Sequence, residues 1–134
     1  MRRIAMFVII VISVVAFIVL AVIMSNPLRW PDSRIRANML KHTPIGTNIV
    51  DVIKFVESNE NWKIYHIYQN GYMLKDGIIS RPSKQNEYSV GVTSMEVRLG
   101  EYRTIFATDV SIFFAFDEDS KLIDIGVLKE NDVL

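Results

Sequence analysis

Residues 109–129, DVSIFFAFDEDSKLIDIGVLK, contain two stretches of alternating apolar and polar residues separated by an acidic turn. A period of two puts every second side chain on the same face of a strand. Val110, Ile112, Phe114 and Phe116 make one apolar set; Ile123, Ile125 and Val127 make the other. A four-residue loop from Glu118 to Lys121 sets Asp117 opposite Leu122 and Phe116 opposite Ile123, which brings both sets to one surface. An antiparallel hairpin is therefore predicted. The same register places Phe113 opposite Gly126 on the outer face, where the ring is either a cover for a strand glycine or an exposed interface residue.

Upstream, SMEVRL (94–99) alternates Met95, Val97 and Leu99 against Glu96 and Arg98, as a half-buried antiparallel strand does. Glu96, Arg98, Glu101 and Arg103 alternate in charge along this strand and its exit, the pattern of a solvated face; with Tyr102 they alternatively frame a polar contact site. WKIYHIYQ (62–69) is rich in β-branched and aromatic residues and suits a further strand. From Asn70 to Glu87 the chain holds Gly71, Gly77 and Pro82 with little periodicity. It reads as a long surface loop with a brief edge strand at Tyr72 to Leu74, either disordered or in contact with a partner.

The period differs before residue 60. Ile49, Val52, Ile53 and Val56 recur at helical spacing, leaving Asn48, Asp51, Lys54 and Glu57 to water. Ahead of them, TPIGT (43–47) both ends one helix and reverses the chain. Pro44 disfavours helix in the residues before it, and Gly46 permits a turn that a side chain would resist. Thr47 is placed to cap the new helix, and Asp51 lies near its positive dipole end. DSRIRANMLKH (32–42) collects Ile35, Met39 and Leu40 on one face, a short amphipathic helix opened by Asp32 or Ser33.

The N-terminus sets the compartment. Ile4 to Met24 runs without a charge, with Ser13 its one clearly polar residue, and a helix of that length rises about 30 Å, the thickness of a bilayer core. A buried core helix would need a larger partner than the remaining chain provides. A cleaved signal peptide is the nearer rival, but the apolar run exceeds a usual h-region and no small-x-small site follows it cleanly. Arg2 and Arg3 hold the N-terminus in the cytoplasm and send the rest of this single-pass signal-anchor protein outward. The expected division is a transmembrane anchor over 1–24, a linker over 25–31 and an extracytoplasmic domain over 32–134. In the linker, Arg29 and Trp30 suit the headgroup region, or Trp30 packs on the domain. The fold class is α+β: an N-terminal transmembrane helix, then two short helices on one face of a three- or four-stranded antiparallel sheet.

Composition narrows the function. The 15 basic residues fall to 13 once Arg2 and Arg3 are set aside, against 15 acidic, which leaves no electrostatic footprint for nucleic acid. Cysteine is absent, and with it disulfides, a lipidated N-terminal cysteine and a thiol nucleophile. No nucleophile elbow, zincin motif or phosphate loop is present, and His42 and His66 are isolated. Asp117 and Asp119 open like a calcium loop, but Lys121 and Leu122 stand where such a loop needs a further ligand and a glycine. Neither a catalytic, a cofactor-binding nor a metal site is assigned, and no enzyme activity is expected; hydrolysis by Asp117, Glu118 or Asp119 would need a burial that an exposed turn lacks.

TPIGTNIVDVIKFV together with FAFDEDSKLIDIGV resembles the two-helix, antiparallel-sheet module of the SmpA/OmlA outer-membrane assembly lipoproteins and the β-lactamase inhibitor protein repeat. The similarity spans about Ile35 to Val127, with Gly46 and Thr47 at the position of that module's turn and Val52 as the inward valine. It also resembles an uncharacterised group of bacterial membrane-anchored proteins sharing TPIG and the FDE-KLIDI ending. The resemblance implies a noncatalytic module that works through protein contacts; the chain departs from the lipoproteins in having an apolar N-terminal segment and no lipidated cysteine. The expected function is a membrane-anchored, extracytoplasmic protein-interaction module with a protein partner at the outer face. The alternative is a receptor for a small envelope ligand, a glycan or peptide, with Tyr65, Tyr68, Tyr72 and Tyr88 as flat apolar surfaces. The sequence specifies neither the partner nor the oligomeric state.

Overall fold

A computed structural model describes residues 1–132; the last two positions of the domain expected over 32–134 lie outside the described residues. The protein is α+β and divides after Trp30 into two compact units. The first unit is a single long helix, α1 (Arg2–Ser25), followed by one 3₁₀ turn at Pro27–Arg29 whose entry is capped by the Asn26 side chain on the Leu28 amide, 3.0 Å. No α1 residue is buried by protein, and the helix is apolar on all sides. Among the described residues α1 is the one helix long and apolar enough to cross a bilayer, a property that a membrane span and a signal sequence share.

The second unit begins with helices α2 (Asp32–His42) and α3 (Ile49–Glu57). It continues as seven strands: β1 (Lys63–Tyr68), β2 (Tyr72–Lys75), β3 (Ile78–Ser80), β4 (Ser89–Val90), β5 (Thr93–Arg103), β6 (Ala107–Phe116) and β7 (Leu122–Asn131). Strands β1-β5-β6-β7 form an antiparallel sheet in that order, and β3-β2-β4 form a second, smaller one. Met95, Val97, Leu99, Val110, Ile112, Phe114, Phe116, Ile125 and Val127 are all buried on one face of the large sheet, as their alternation predicts. Helix α2 lies along β7 and α3 beside β1, and their buried Ile35, Met39, Val52 and Val56 close over that face.

The other face departs from expectation. Residues 70–87 do not form a plain surface loop, because β2 and β3 make a hairpin through Asp76 and Gly77, both at positive φ, with Lys75 paired to Ile78. With β4 this hairpin covers the outer face of the large sheet. Phe113 is thus neither exposed nor a mere cover: it is fully buried against Tyr72 and Tyr68, with ring centroids 5.9 Å and 6.4 Å away. It does stand opposite Gly126, as the register requires. The space over Gly126, however, is taken by the small sheet. A Cβ there would meet Ile79 Cδ1 at 2.8 Å and the Tyr72 ring at 3.1 Å.

Three local expectations are corrected. In the β6–β7 turn, Lys121, not Leu122, closes on Asp117: the Asp117 amide donates to the Lys121 carbonyl, 2.9 Å, and Ser120 takes a positive φ of 59°. This is a three-residue turn followed by a bulge, held by the Asp117 carboxylate, which accepts from the amides of Asp119 and Lys121 at 2.9 Å each. The bulge makes Leu122 the partner of Phe116 and buries it, leaving Ile123 on the outside. At α3 the cap is Asn48, whose side chain accepts from the Val50 amide at 3.0 Å, because the Thr47 hydroxyl is already donating to the Pro44 carbonyl at 2.6 Å. Helix α2 begins at Asp32, but neither Asp32 nor Ser33 supplies a capping bond.

The TPIGT reversal now has its physical reason. Gly46, at φ +93°, donates its amide to the Leu122 carbonyl (2.7 Å), the Leu122 amide donates to Thr47 (2.8 Å), and the Ile49 amide donates to Ser120 (2.9 Å). The turn between the helices is thereby laced to the start of β7, more than seventy positions away.

Candidate functional site

Strand β7 is an edge of the large sheet, and its outer side is occupied unevenly. Its start is bonded to residues 46–49, as above. Further along, the Ile125 amide donates to Asp124 Oδ1 (2.8 Å) and the Ile125 carbonyl accepts from Arg36 Nε of α2 (3.0 Å). Side chains thus replace a neighbouring strand there. Backbone groups alternate in direction along a strand, so the Val127 amide and carbonyl face the same way as those of Ile125. The pairing of the Asp132 amide with the Ala107 carbonyl at 2.9 Å fixes the same phase from the other end. Among the described residues nothing bonds the Val127 amide or carbonyl. They open into a cleft of about 390 Å³, walled by Asp32, Ser33 and Arg36 of α2 and by Leu74, Gly77 and Ile78 of the small sheet.

The charges of the cleft are paired. Asp124 receives Arg36 at 2.5 Å and the Tyr72 hydroxyl at 3.2 Å, and Lys129 reaches Asp32 at 3.5 Å. Burial first, and the Asp124 carboxylate second, hold the Tyr72 phenol well above its ordinary range. Arg36, Asp124 and Arg81, which give the two sheets and α2 their polar seams, were not singled out by sequence reasoning. Isolated ions in a long sequence carry no periodic signal.

Glu96 was expected on a solvated face, and the structure buries it at 1% exposure. The small sheet lies over it. Arg81, just after β3, donates to Glu96 at 2.9 Å with one end of its guanidinium and to Glu130 of β7 at 2.7 Å with the other. The Tyr68 hydroxyl completes the Glu96 shell at 2.8 Å, and burial followed by that bond push the Tyr68 phenol up to about 12. Arg98 remains outside, paired with Asp109 and, at 3.8 Å, with Glu101. Arg98 and Glu101 therefore keep the exposed character that the sequence suggested, whereas Glu96 does not.

The four tyrosines do not converge. Tyr72 is buried, Tyr68 leans on Phe113, Tyr88 lies under the Lys75 ammonium at 5.0 Å, and Tyr65, 69% exposed, sits in a bulge of β1 at the opposite edge. Only Tyr72 lines the cleft. His42 stacks on Phe55 at 5.1 Å and His66 meets Tyr68 edge-on at 4.5 Å. The acidic turn 117–119 borders a second, shallower hollow with Gln85, Gly91 and Ile123. No family model, curated protein or solved structure matches this chain.

Proposed function

We propose that this protein is a single-pass, membrane-anchored, noncatalytic module that binds a protein partner on the outer side of the membrane, taking an extended segment of it along the second half of β7. The observation that carries the reading is the outward-facing amide and carbonyl of Val127 on the floor of an open cleft, since an incompletely covered sheet edge is a template for main-chain pairing. The walls suit it: Ile78 and Leu74 offer apolar surface for alternate side chains of such a segment, while the Arg36–Asp124 and Lys129–Asp32 pairs flank it. Further support comes from the carboxylates Glu96, Asp109, Asp117 and Asp124, each tied to a cation or to backbone amides in a structural role. The sequence resemblance to assembly and inhibitor modules that act by protein contact points the same way. Arg2 and Arg3 are the basis for placing the domain outside.

The alternative, a receptor for a small glycan or peptide, has the cleft volume in its favour, which falls within the range of ligand sites. One experiment separates the proposal from its failure. A photo-crosslinking residue at Ile78, 70% exposed on the cleft wall, is compared with one at Tyr65 on the far edge, in the full-length protein in native membranes. A discrete protein adduct from position 78 and none from 65 is expected, weakened by Val127→Pro, which removes the outward donor while sparing the β6–β7 ladder. Equal adducts at both positions, or none at either, would refute the assignment.

A further inference from the structure

The loop joining β5 to β6 presents Ile105 at 91% exposure and Phe106 at 52%, at the tip of a hairpin whose neighbours Thr104 and Arg103 are also exposed. A two-residue apolar tip of this kind has no role in the core. Its position in the domain is informative. Asp32, the first residue of α2, reaches Lys129 of β7, and Arg36, one turn later, reaches Ile125. Helix α2 therefore runs along β7 from the level of residue 129 to that of 125. On the large sheet, residue 129 pairs with Val110, residue 131 with Thr108, and Ala107 with Arg103, so the hairpin tip continues from the end at which α2 begins. The chain enters the domain at the tip's end of the sheet.

The chain that enters there has just left the apolar segment. Only residues 26–31 separate Ser25 from Asp32, and six residues span at most roughly 20 Å even when extended. We propose that Ile105 and Phe106 insert into the interfacial region of the bilayer that holds α1, giving the domain a second, reversible attachment beside its covalent one. This inference rests on α1 being a retained membrane segment. The occupant is the lipid surface: connectivity keeps it within reach of this end of the domain, and an isoleucine beside an aromatic ring suits the boundary between headgroups and acyl chains. A second attachment would fix the domain's tilt and so the direction in which the β7 cleft opens.

The absence of native cysteine makes the test specific. Full-length protein carrying a fluorophore at Thr104→Cys is reconstituted in phosphatidylcholine–phosphatidylglycerol vesicles containing nitroxide lipids, alongside labels at Glu118→Cys in the opposite turn and at Val14→Cys in α1. Several-fold stronger quenching of the 104 label than of the 118 label by shallow nitroxides is expected. The double variant Ile105→Ser/Phe106→Ser should abolish it. Quenching at 14 by deep nitroxides with none at 104 overturns the insertion alone. Loss of quenching at both 14 and 104 overturns the anchor and the insertion together. A 104 label shielded from water but unquenched, with shielding that falls on dilution in lipid, would show a second copy of the chain covering the tip and would also overturn the proposal.

Discussion

Gly126 shows how little room separates the two sheets. Its φ is ordinary, so the need for glycine is steric: the nearest atoms to an added Cβ are Ile79 Cδ1 and the Tyr72 ring. Gly126→Ala should lower stability by about 1–3 kcal/mol, the usual range for overpacking a core. Adding Ile79→Val, which removes the Cδ1 atom, should recover part of the loss. Urea unfolding midpoints of the two variants test this, and a single variant as stable as its parent would mean the sheets are not packed this closely. Glu96 works by the opposite logic. Its carboxylate is buried, so Arg81 and Tyr68 act as its replacement for water, and removal of either leaves an incompletely solvated charge. The Arg98–Asp109 pair, exposed on the same sheet, belongs to the class worth only about 0–1 kcal/mol.

Among the elements, the small sheet makes the greatest difference to the surface. It turns a two-layer arrangement into three layers and converts the outer face of β5 and β6 into a second core around Phe113, Ala115 and Tyr72. Beneath it lie two tyrosine hydroxyls on carboxylates, Tyr72 of β2 on Asp124 of β7 and Tyr68 of β1 on Glu96 of β5, which give the packing an alkaline limit. The Tyr68 phenol is raised to about 12 and Tyr72 is raised as well, so the folded protein holds both in the neutral form at a pH where an unfolded tyrosine, near 10, already ionises. This contribution is complete below about pH 10 and is lost as the pH climbs through about 12. Urea midpoints followed from about pH 8 to 11.5 should therefore decline above about pH 10. Tyr68→Phe should decline less steeply; an identical slope would remove Tyr68 from the account. The hairpin behind this sheet was legible in principle. Lys-Asp-Gly-Ile at 75–78 is a two-residue Asp-Gly turn, a strong hairpin signal, obscured by the irregular composition on either side.

For the whole molecule, the consequential feature is the division between α1 and the residues from Pro31 onward. An all-round apolar helix has no protein face to favour, whereas the second unit buries a face of every long strand it contains. If α1 anchors the chain with Arg2 and Arg3 in the cytoplasm, a C-terminal tag on the full-length protein should be lost when protease is added to cells stripped of their outer layers. Alkaline carbonate washing should leave the intact chain in the membrane, at the mass of the full sequence. A tag protected until the membrane is permeabilised would reverse the orientation, and a mass lacking the first residues would mark the segment as a cleaved signal.

Periodic features were determined by the sequence alone: the apolar N-terminal helix, the α3 stripe of Val52 and Val56, and the alternation that orients β5, β6 and β7. These are properties of neighbours along the chain, and burial on one face writes them there directly. The tertiary structure alone decided that the alternating charge at Glu96 was buried rather than wet. It also decided that a bulge exchanges Ile123 for Leu122 and that a cleft opens beside Val127. Each depends on a partner distant along the chain: Arg81 for Glu96, fifteen positions away, the Gly46–Thr47 turn for Leu122, and Arg36 for the edge of β7. A local pattern records which face is apolar. It cannot record what folds back to cover the polar one, because that is settled by how the layers fit together.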